Sequence, residues 1–454
     1  MSTQKRFGHG LILSYAVLWS LLTFTVPRET RAQFVGIQNN IGGIVVDPNG
    51  VLQRHPIHLN PALHRDLIAT LRLAPDELQE DVELRKISLR RLQDAIAVSL
   101  SDESQSLPQE IQFLAGLHRI QYILVYPDKN DIVLAGPGGG WTVDDTGRVV
   151  GSTGKPVLLL DDLIVALRAI FTPEKEMISC SINPTQGGLQ QFQQVLSQQK
   201  QFHPSVLPAI EQALGPQNIT VTGVPSSSHF AHVLVAADYR MKRIGMGLDP
   251  SPLRKLSSYM ELIKSARSVK NAIPRWWLAC NYEAMARSDD GLAWEIRGSG
   301  VKCMTENAFF QSDGTIRKGI AADPAGTQWA QRMTATYDEL AHKEPVFAKL
   351  RHSMDFCVLA ALIREKKLHV QAQCDLSLLI NDDSRLSTYV GPAPRTVPSQ
   401  ASVVKRGRDY IISASGGIEI DALSVIDNSE ISDAIHSVHD SGNDGTNKTS
   451  WWWN

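Results

Sequence analysis

The residues whose types and spacing could do chemistry cluster in the second half of the chain. Ser226, Ser227 and Ser228 run into His229-x-x-His232 at the start of a helical stretch. Histidines at that spacing share a helix face, and a third ligand beside them would make a metal site. Asp238 does not qualify, because nine residues at about 100° each put it opposite His229. The histidine face carries Arg240 and Arg243 instead, which repel a cation and suit an anion. Free N–H groups at a helix start also bind anions. Ser228, His229 and Arg240 are therefore candidate ligands for an anion or carboxylate, and no metal is expected. The plainer reading is an N-cap serine before a solvated polar face.

Trp276, Trp277, Tyr282 and Trp294 form the densest aromatic group. Trp276, Trp277 and Trp294 are candidates for stacking on a sugar ring or gripping a peptide, with core packing as the competing reading. Glu283 and Glu295 stand nearby, but a glycosidase pair needs its carboxyls about 5–10 Å apart across a cleft. Other fragments fail on their own terms. Gly136–Gly140 matches no phosphate loop and leads into a strand. Ser152-Thr-Gly-Lys155 fits S-x-x-K without its companion motifs. His55, His58 and His64 have no acidic ligand close by. Nothing calls for a cofactor.

The elements that must position these residues are mixed. Short β-type runs at 120–126, 132–135, 141–143 and 148–150 are separated by turn residues at hairpin spacing. Asp161 or Asp162 is placed to cap a helix that ends near Phe171, and Thr185 to cap another. Gly43-x-x-Val-Asp47-x-x-Gly50 is echoed by Gly140-x-x-Val-Asp144-x-x-Gly147, which reads as two similar strand–turn–strand units. Leu89, Leu92, Ile96 and Leu100 make a helical stripe, with Arg85, Lys86, Arg90 and Arg91 expected on a solvated face. Phe230, Val233, Leu234, Ala237, Met241 and Ile244 make a second stripe. Hairpins are expected around Gly298–Gly300 and around Gly416–Gly417. Glu344 and Pro345 open a helix with a stripe from Phe347 to Ala361, closed by Lys366 and Lys367. The fold class expected is α+β, antiparallel hairpins with packed helices. Residues 33–200 and 201–386 are expected as two regions, and 387–454 as a Pro/Gly/Ser linker and disordered tail ending in Trp451, Trp452 and Trp453.

The chain has 454 residues, 43% of them apolar, and a formal net charge of -2. That charge speaks against a nucleic-acid partner. Five cysteines are too few and odd in number for a disulfide framework. Cys280–Cys303 and Cys357–Cys374 could pair, though buried thiols fit equally well. Lys5 and Arg6 precede an apolar run from Leu11 to Val26, and Thr30-Arg-Ala32 follows. This is the pattern of a signal peptide cleaved after Ala32, so the protein is expected to be exported to the periplasm or beyond. No transmembrane segment is expected in the mature chain.

Several strings carry a resemblance: HRIQYILVYPDKNDIVLAGPGGGW, SCSINPTQGGL, SHFAHVLVAADYRMKRIGMGL, NAIPRWWL, GLAWEIRGSGVKCMTE and YDELAHKEPVFAKLRHSMD. Over about residues 80–370 the chain resembles an uncharacterised family of exported planctomycete proteins, the domain of unknown function family 1598. The resemblance implies a bacterial envelope setting and no reaction. The function expected is that of a non-enzymatic envelope-associated or binding protein, with an envelope protein or glycan as its partner. The alternatives are an exported hydrolase, to be sought at His229, Arg240, Glu283 and Trp277, and a secretion or assembly factor.

Overall fold

The computed structural model describes residues 41, 43–54, 71, 74–101, 106–144, 148–172, 177–198, 205, 207–265, 274–306, 308–310, 316–318, 324–406, 408–443 and 450–454. The expected signal peptide and His55, His58 and His64 lie outside the described residues.

The fold is α+β, with helices and two large mixed sheets. One sheet has seven strands, in the order Ser429–Ile431, Met285–Arg287, Ala293–Glu295, Tyr122–Tyr126, Asp131–Gly138, Val82–Ser88 and Trp452–Trp453. The other has six: Gly300–Glu306, Arg275–Asn281, Ser415–Ile420, Ile178–Asn183, Gln217–Thr222 and Thr396–Val397. Neighbours are antiparallel except where Ser415–Ile420 meets Arg275–Asn281 and where Ser429–Ile431 meets Met285–Arg287. Strands from before and after residue 200 share each sheet, so the regional boundary expected there does not separate two sheets.

The two echoed units are hairpins built the same way. Ile44–Val46 pairs with Leu52–Arg54, and Trp141–Val143 with Val149–Gly151. In each, the aspartate accepts from the N–H four residues on: Val51 to Asp47 at 2.9 Å, Arg148 to Asp144 at 3.0 Å. A short carboxylate closing its own turn is what this residue type does well.

Two other expected hairpins are corrected. At Gly298–Gly300 the chain leaves the seven-stranded sheet after Ala293–Glu295 and enters the six-stranded one at Gly300, with φ of +100° and +83° at the two glycines. The turn that joins two strands there joins different sheets. Residues 415–420 likewise form no hairpin with 410–413, since Ser402–Arg406 takes Arg408–Ile412 as its partner. Ser415–Ile420 instead runs inside the six-stranded sheet. Gly416 lies so close to Trp276 that a Cβ there would stand 1.6 Å from the Trp276 carbonyl oxygen.

The tail expected to be disordered is, over its described residues, folded onto the seven-stranded sheet. Ile123, Val125, Ile132 and Leu134 face the main core. Leu124, Tyr126 and Val133 face the other way, into a second cluster completed by Ile435 and Trp453. Strands apolar on both faces need cover on both, and helix Ala434–Asn443 supplies the outer layer. Tyr126 donates to the His439 carbonyl at 2.6 Å and stacks on its ring.

Trp452 and Trp453 pair with Ile87 and Lys86. Their rings lie against Arg85 and Arg91, at 5.9 and 5.2 Å. Arg85 and Lys86 are therefore buried, not on a solvated helix face. Residues 82–88 are a strand, and the helix starts only at Leu89, capped by Ser88. The Arg85 guanidinium donates to the carbonyls of Leu78, Glu80, Ala115 and Gly139 and to Asn454 Oδ1.

Three helices carry the site. Leu160–Phe171 packs along Pro345–Glu365, and His229–Gly245 lies on the six-stranded sheet and against Pro345–Glu365. The last two are buried almost all round rather than along one stripe. Glu344 and Pro345 do open the third helix, and Lys366 ends it. All five cysteines are free thiols.

The Pro345 helix carries Asp355, which is fully buried. It accepts from Tyr282 at 2.7 Å and from Arg119 Nε at 3.1 Å. Arg119 precedes a strand of one sheet, and Tyr282 follows a strand of the other. Removing one member of such a group leaves the rest buried and unpaired, at a cost of about 3–5 kcal/mol. Asp355→Ala should therefore lower unfolding stability in urea by that amount. Tyr282→Phe, which removes one hydrogen bond to a charged acceptor, should cost about 2 kcal/mol.

Candidate functional site

Ser228 follows a turn at Ser226 and Ser227 and caps the His229 helix. Its Oγ accepts from the Ala231 N–H at 3.2 Å and donates to the Pro225 carbonyl at 2.6 Å. The cap directs His229 inward, where it is 1% exposed. Its Nδ1 lies 3.0 and 2.9 Å from the two carboxylate oxygens of Asp162. Asp162 is not the N-cap of its helix, which starts at Leu160 after Leu159. It sits in the first turn and turns its carboxylate to the histidine.

With Nδ1–H given to Asp162, the other nitrogen of a neutral imidazole is an acceptor. His229 Nε2 faces Lys349 Nζ at 3.4 Å. Lys349 lies one turn inside the Pro345 helix and is half-buried. Burial, then the charge of Arg148, pull its pKa down to about 8, against the opposing pull of Asp162 and Asp144. Arg148 is held by Asp144 at 2.9 Å. Asp162, His229 and Lys349 thus form a relay in which an acid orients a base and the base faces an amine.

Arg148 also lines a cavity of about 290 Å3. Both echoed hairpins reach it, through Gly43, Ile44 and Arg54 from the first and Arg148 from the second. The His229 helix brings Arg240 and Arg243, and the start of the Pro345 helix brings Val346, with Lys343 and Glu344 just before it. Asp249 is the hub of the wall. It receives Arg243 at 2.7 and 2.9 Å, Arg240 at 2.8 Å and Arg54 at 3.2 Å. Burial alone would raise its carboxyl, but the hydrogen bonds from Arg243 and the charges of Arg243, Arg240 and Arg54 outweigh it and hold the group below the usual range. Arg240 also pairs with Glu344. Five cationic side chains line this cavity against two acidic ones. Asp144 behind Arg148 still leaves a positive excess.

The sequence-derived candidates are thus only partly united. Ser228 serves as a cap, His229 faces Asp162 and Arg240 faces Glu344 and Asp249, so the three do not converge on one anion. Arg240 alone of them lines the cationic cavity. His232 turns to another segment, 3.1 Å from the Pro392 carbonyl, and among the described residues no group of three or more His, Cys, Asp or Glu side chains could hold a metal. Trp276 is fully buried against Trp329 and Tyr259. Trp294 is buried too and donates to the Gly291 carbonyl, while Trp277 is half-buried over Arg275. These rings are core and edge packing, not a shared platform. Glu283 is exposed and Glu295 is paired with Arg297. Sequence reasoning missed Lys349 and the role of Asp162. The available signal for Lys349 was its place with His352 and Asp355 among the apolar residues of one long helix.

Residues 180–259 match a family described as protein of unknown function, DUF1598. The match spans strand Ile178–Asn183 from its third residue through the His229 helix to Tyr259, so it includes His229, Arg240, Arg243 and Asp249. The family description names no activity. No curated protein and no solved structure matches the chain.

Burial, and next the charge of His229, lower the pKa of His232 to about 4. Unfolded histidines titrate near 6.5, so between pH 6.5 and 4 the unfolded chain binds a proton here that the folded chain does not. Stability is complete above this window and falls as pH drops through it. In urea titrations at pH 7 and 4.5, His232→Gln should lose about 2 kcal/mol less on acidification than the wild type.

Proposed function

We propose that the protein binds a small anion, a carboxylate or a phosphate, in the cavity walled by Arg54, Arg148, Arg240 and Arg243. The observation that carries this reading is the sharing of the single Asp249 carboxylate by three guanidiniums. Glu344 also pairs with Arg240, yet two carboxylates still leave the three guanidiniums one charge in excess, and an added anion is what such a cluster takes up. The volume fits a small molecule at the lower end of the usual range. A binding role also agrees with the lack of a recognisable catalytic motif in the sequence.

Calorimetry and thermal unfolding with citrate, inorganic phosphate and sulfate test this. At least one should raise the Tm with its concentration, as a ligand of the folded state does, and the gain should shrink with added chloride. Arg54 is half exposed, at 53%, and has one ion pair. Arg54→Gln should fold normally and bind at least about tenfold more weakly, the equivalent of about 1.4 kcal/mol. Unchanged affinity in that variant would sink the reading.

We infer that this binding takes place outside the cytoplasm. The charged start, the apolar run of Leu11–Val26 and the small residues around Arg31 support export. Among the described residues no helix is long and apolar enough to cross a membrane. Terminal sequencing of the protein recovered from fractionated cells should read from Gln33. A chain still starting at Met1, found with the cytoplasmic fraction, would refute export.

A further inference from the structure

We propose that Lys349 is an amine nucleophile that captures the carbonyl carbon of a small anionic aldehyde or keto acid, with His229, oriented by Asp162, moving the protons. The proposal rests on the reading of the cavity as an anion site and assigns that site a ligand class.

The geometry has the three parts that an activated nucleophile needs: nucleophile to base at 3.4 Å, base to orienting acid at 2.9 Å, and an electrostatic partner for the ligand nearby. Val346, one turn before Lys349 on the same helix, lines the cavity, and so does Arg148, whose charge is felt at the lysine. Lys349 does not itself line the cavity; it stands one helical turn behind Val346, so the carbonyl end of a ligand held by Arg148 has to reach past Val346 to meet the amine. The groups that face Lys349 are His229, Asp162, Arg148, Asp144 and, on its own helix, His352. Among the described residues none of the carboxylates is within ion-pair distance of Nζ. With the pKa at about 8, roughly a tenth of the amine is neutral at pH 7, some three-hundredfold more than for an ordinary lysine.

In the reaction the nitrogen lone pair bonds to the carbonyl carbon and the C=O π pair moves to oxygen. His229 Nε2 takes a proton from the new ammonium, and Asp162 stabilises the imidazolium. The imidazolium gives that proton to the alkoxide, forming the carbinolamine; His229 then carries the second N–H proton to the hydroxyl, which leaves as water while nitrogen forms the C=N bond. Amine plus carbonyl becomes imine plus water, with no oxidant or reductant.

The test is reductive trapping of the mature chain with glyoxylate and cyanoborohydride from pH 6 to 10, read by peptide mass spectrometry. Cyanoborohydride delivers hydride to the imine carbon and water protonates nitrogen, which fixes the adduct. Lys349 should be labelled at least tenfold faster than the exposed Lys255 at pH 7.5, and acetaldehyde, which has no charge, should lose most of that preference. Lys349→Arg should remove the fast site. His229→Gln should slow it and move its pH midpoint upward. Should that variant fold poorly by near-UV circular dichroism, Asp162→Asn, which keeps an acceptor for the imidazole, should slow labelling in the same way. Labelling of Lys349 no faster than Lys255 would overturn the proposal. If citrate still binds in that case, the anion site stands and only the amine chemistry falls. If Lys349 is labelled fast with no anion bound and no preference for glyoxylate, the anion reading falls and the ligand class falls with it.

Discussion

The helix Pro345–Glu365 is enclosed almost all round, and the rest of the structure has to satisfy it. Lys349, His352, Ser353 and Asp355 interrupt its apolar surface. A buried polar group without a partner costs more than a hydrogen bond returns, so each demands a neighbour. Asp355 draws Arg119 from the approach to one sheet and Tyr282 from the end of a strand in the other. Arg119 also reaches the Gly298 carbonyl, at the crossover between the sheets. One carboxylate thereby sets the relative placement of two sheets and the turn between them. Lys349, two turns earlier, draws in His229 and through it Asp162, which fixes two more helices. The helix is the shared wall of the packing problem and of the candidate chemistry.

The cavity follows from the same economy of partners seen in a wetter place. Asp249 accepts from three arginines that come from two elements: Arg54 on the first hairpin and Arg240 and Arg243 on the His229 helix. Their mutual repulsion opposes close approach, and Asp249, with Glu344 on Arg240, offsets it only in part. Half-exposed Arg54 keeps its contact in water, where such a pair is worth about 1 kcal/mol or less. Arg243, more enclosed, makes the bidentate contact that costs most to lose. The wall therefore has a rigid side at Arg243 and a yielding side at Arg54, an arrangement suited to admitting a small ion.

Local patterns in the sequence reported local structure well. The paired hairpins, the Ser228 cap and the Glu344–Pro345 start are each set by a few neighbouring residues. What was not legible depended on distant partners. Nothing near Gly298 says that the strand after it joins a different sheet, because a positive φ serves a crossover as well as a hairpin. The polar tail looked unable to fold because its own apolar content is low. Its cover for Leu124, Tyr126 and Val133 is visible only from the strands' side, as an apolar run that does not alternate. Arg85 was misplaced because a helical stripe was extended back across Ser88, the residue that ends the strand and caps the helix. In the candidate site, His229 was singled out and its partner was not. Asp162 lies 67 positions away and by local rules is a helix-start acid.

Two inward-turned lysines, Lys242 and Lys349, show how the fold separates structure from reactivity. Lys242 is enclosed on the His229 helix with Asp238 at 2.8 Å, the Ile182 carbonyl at 2.9 Å and the Gly416 carbonyl at 3.3 Å. A carboxylate and two carbonyls match the three donors of an ammonium, so that lysine is fully occupied. Lys349 has a single imidazole nitrogen in reach and an arginine close enough to repel it. Its enclosure therefore favours the neutral amine rather than an ion pair. The same side chain, buried at 242 and half-buried at 349, ends differently because the donors are matched in one place and left wanting in the other. An unmatched amine beside a fixed base is costly for a purely structural role, and that cost is the physical ground for assigning Lys349 a chemical one.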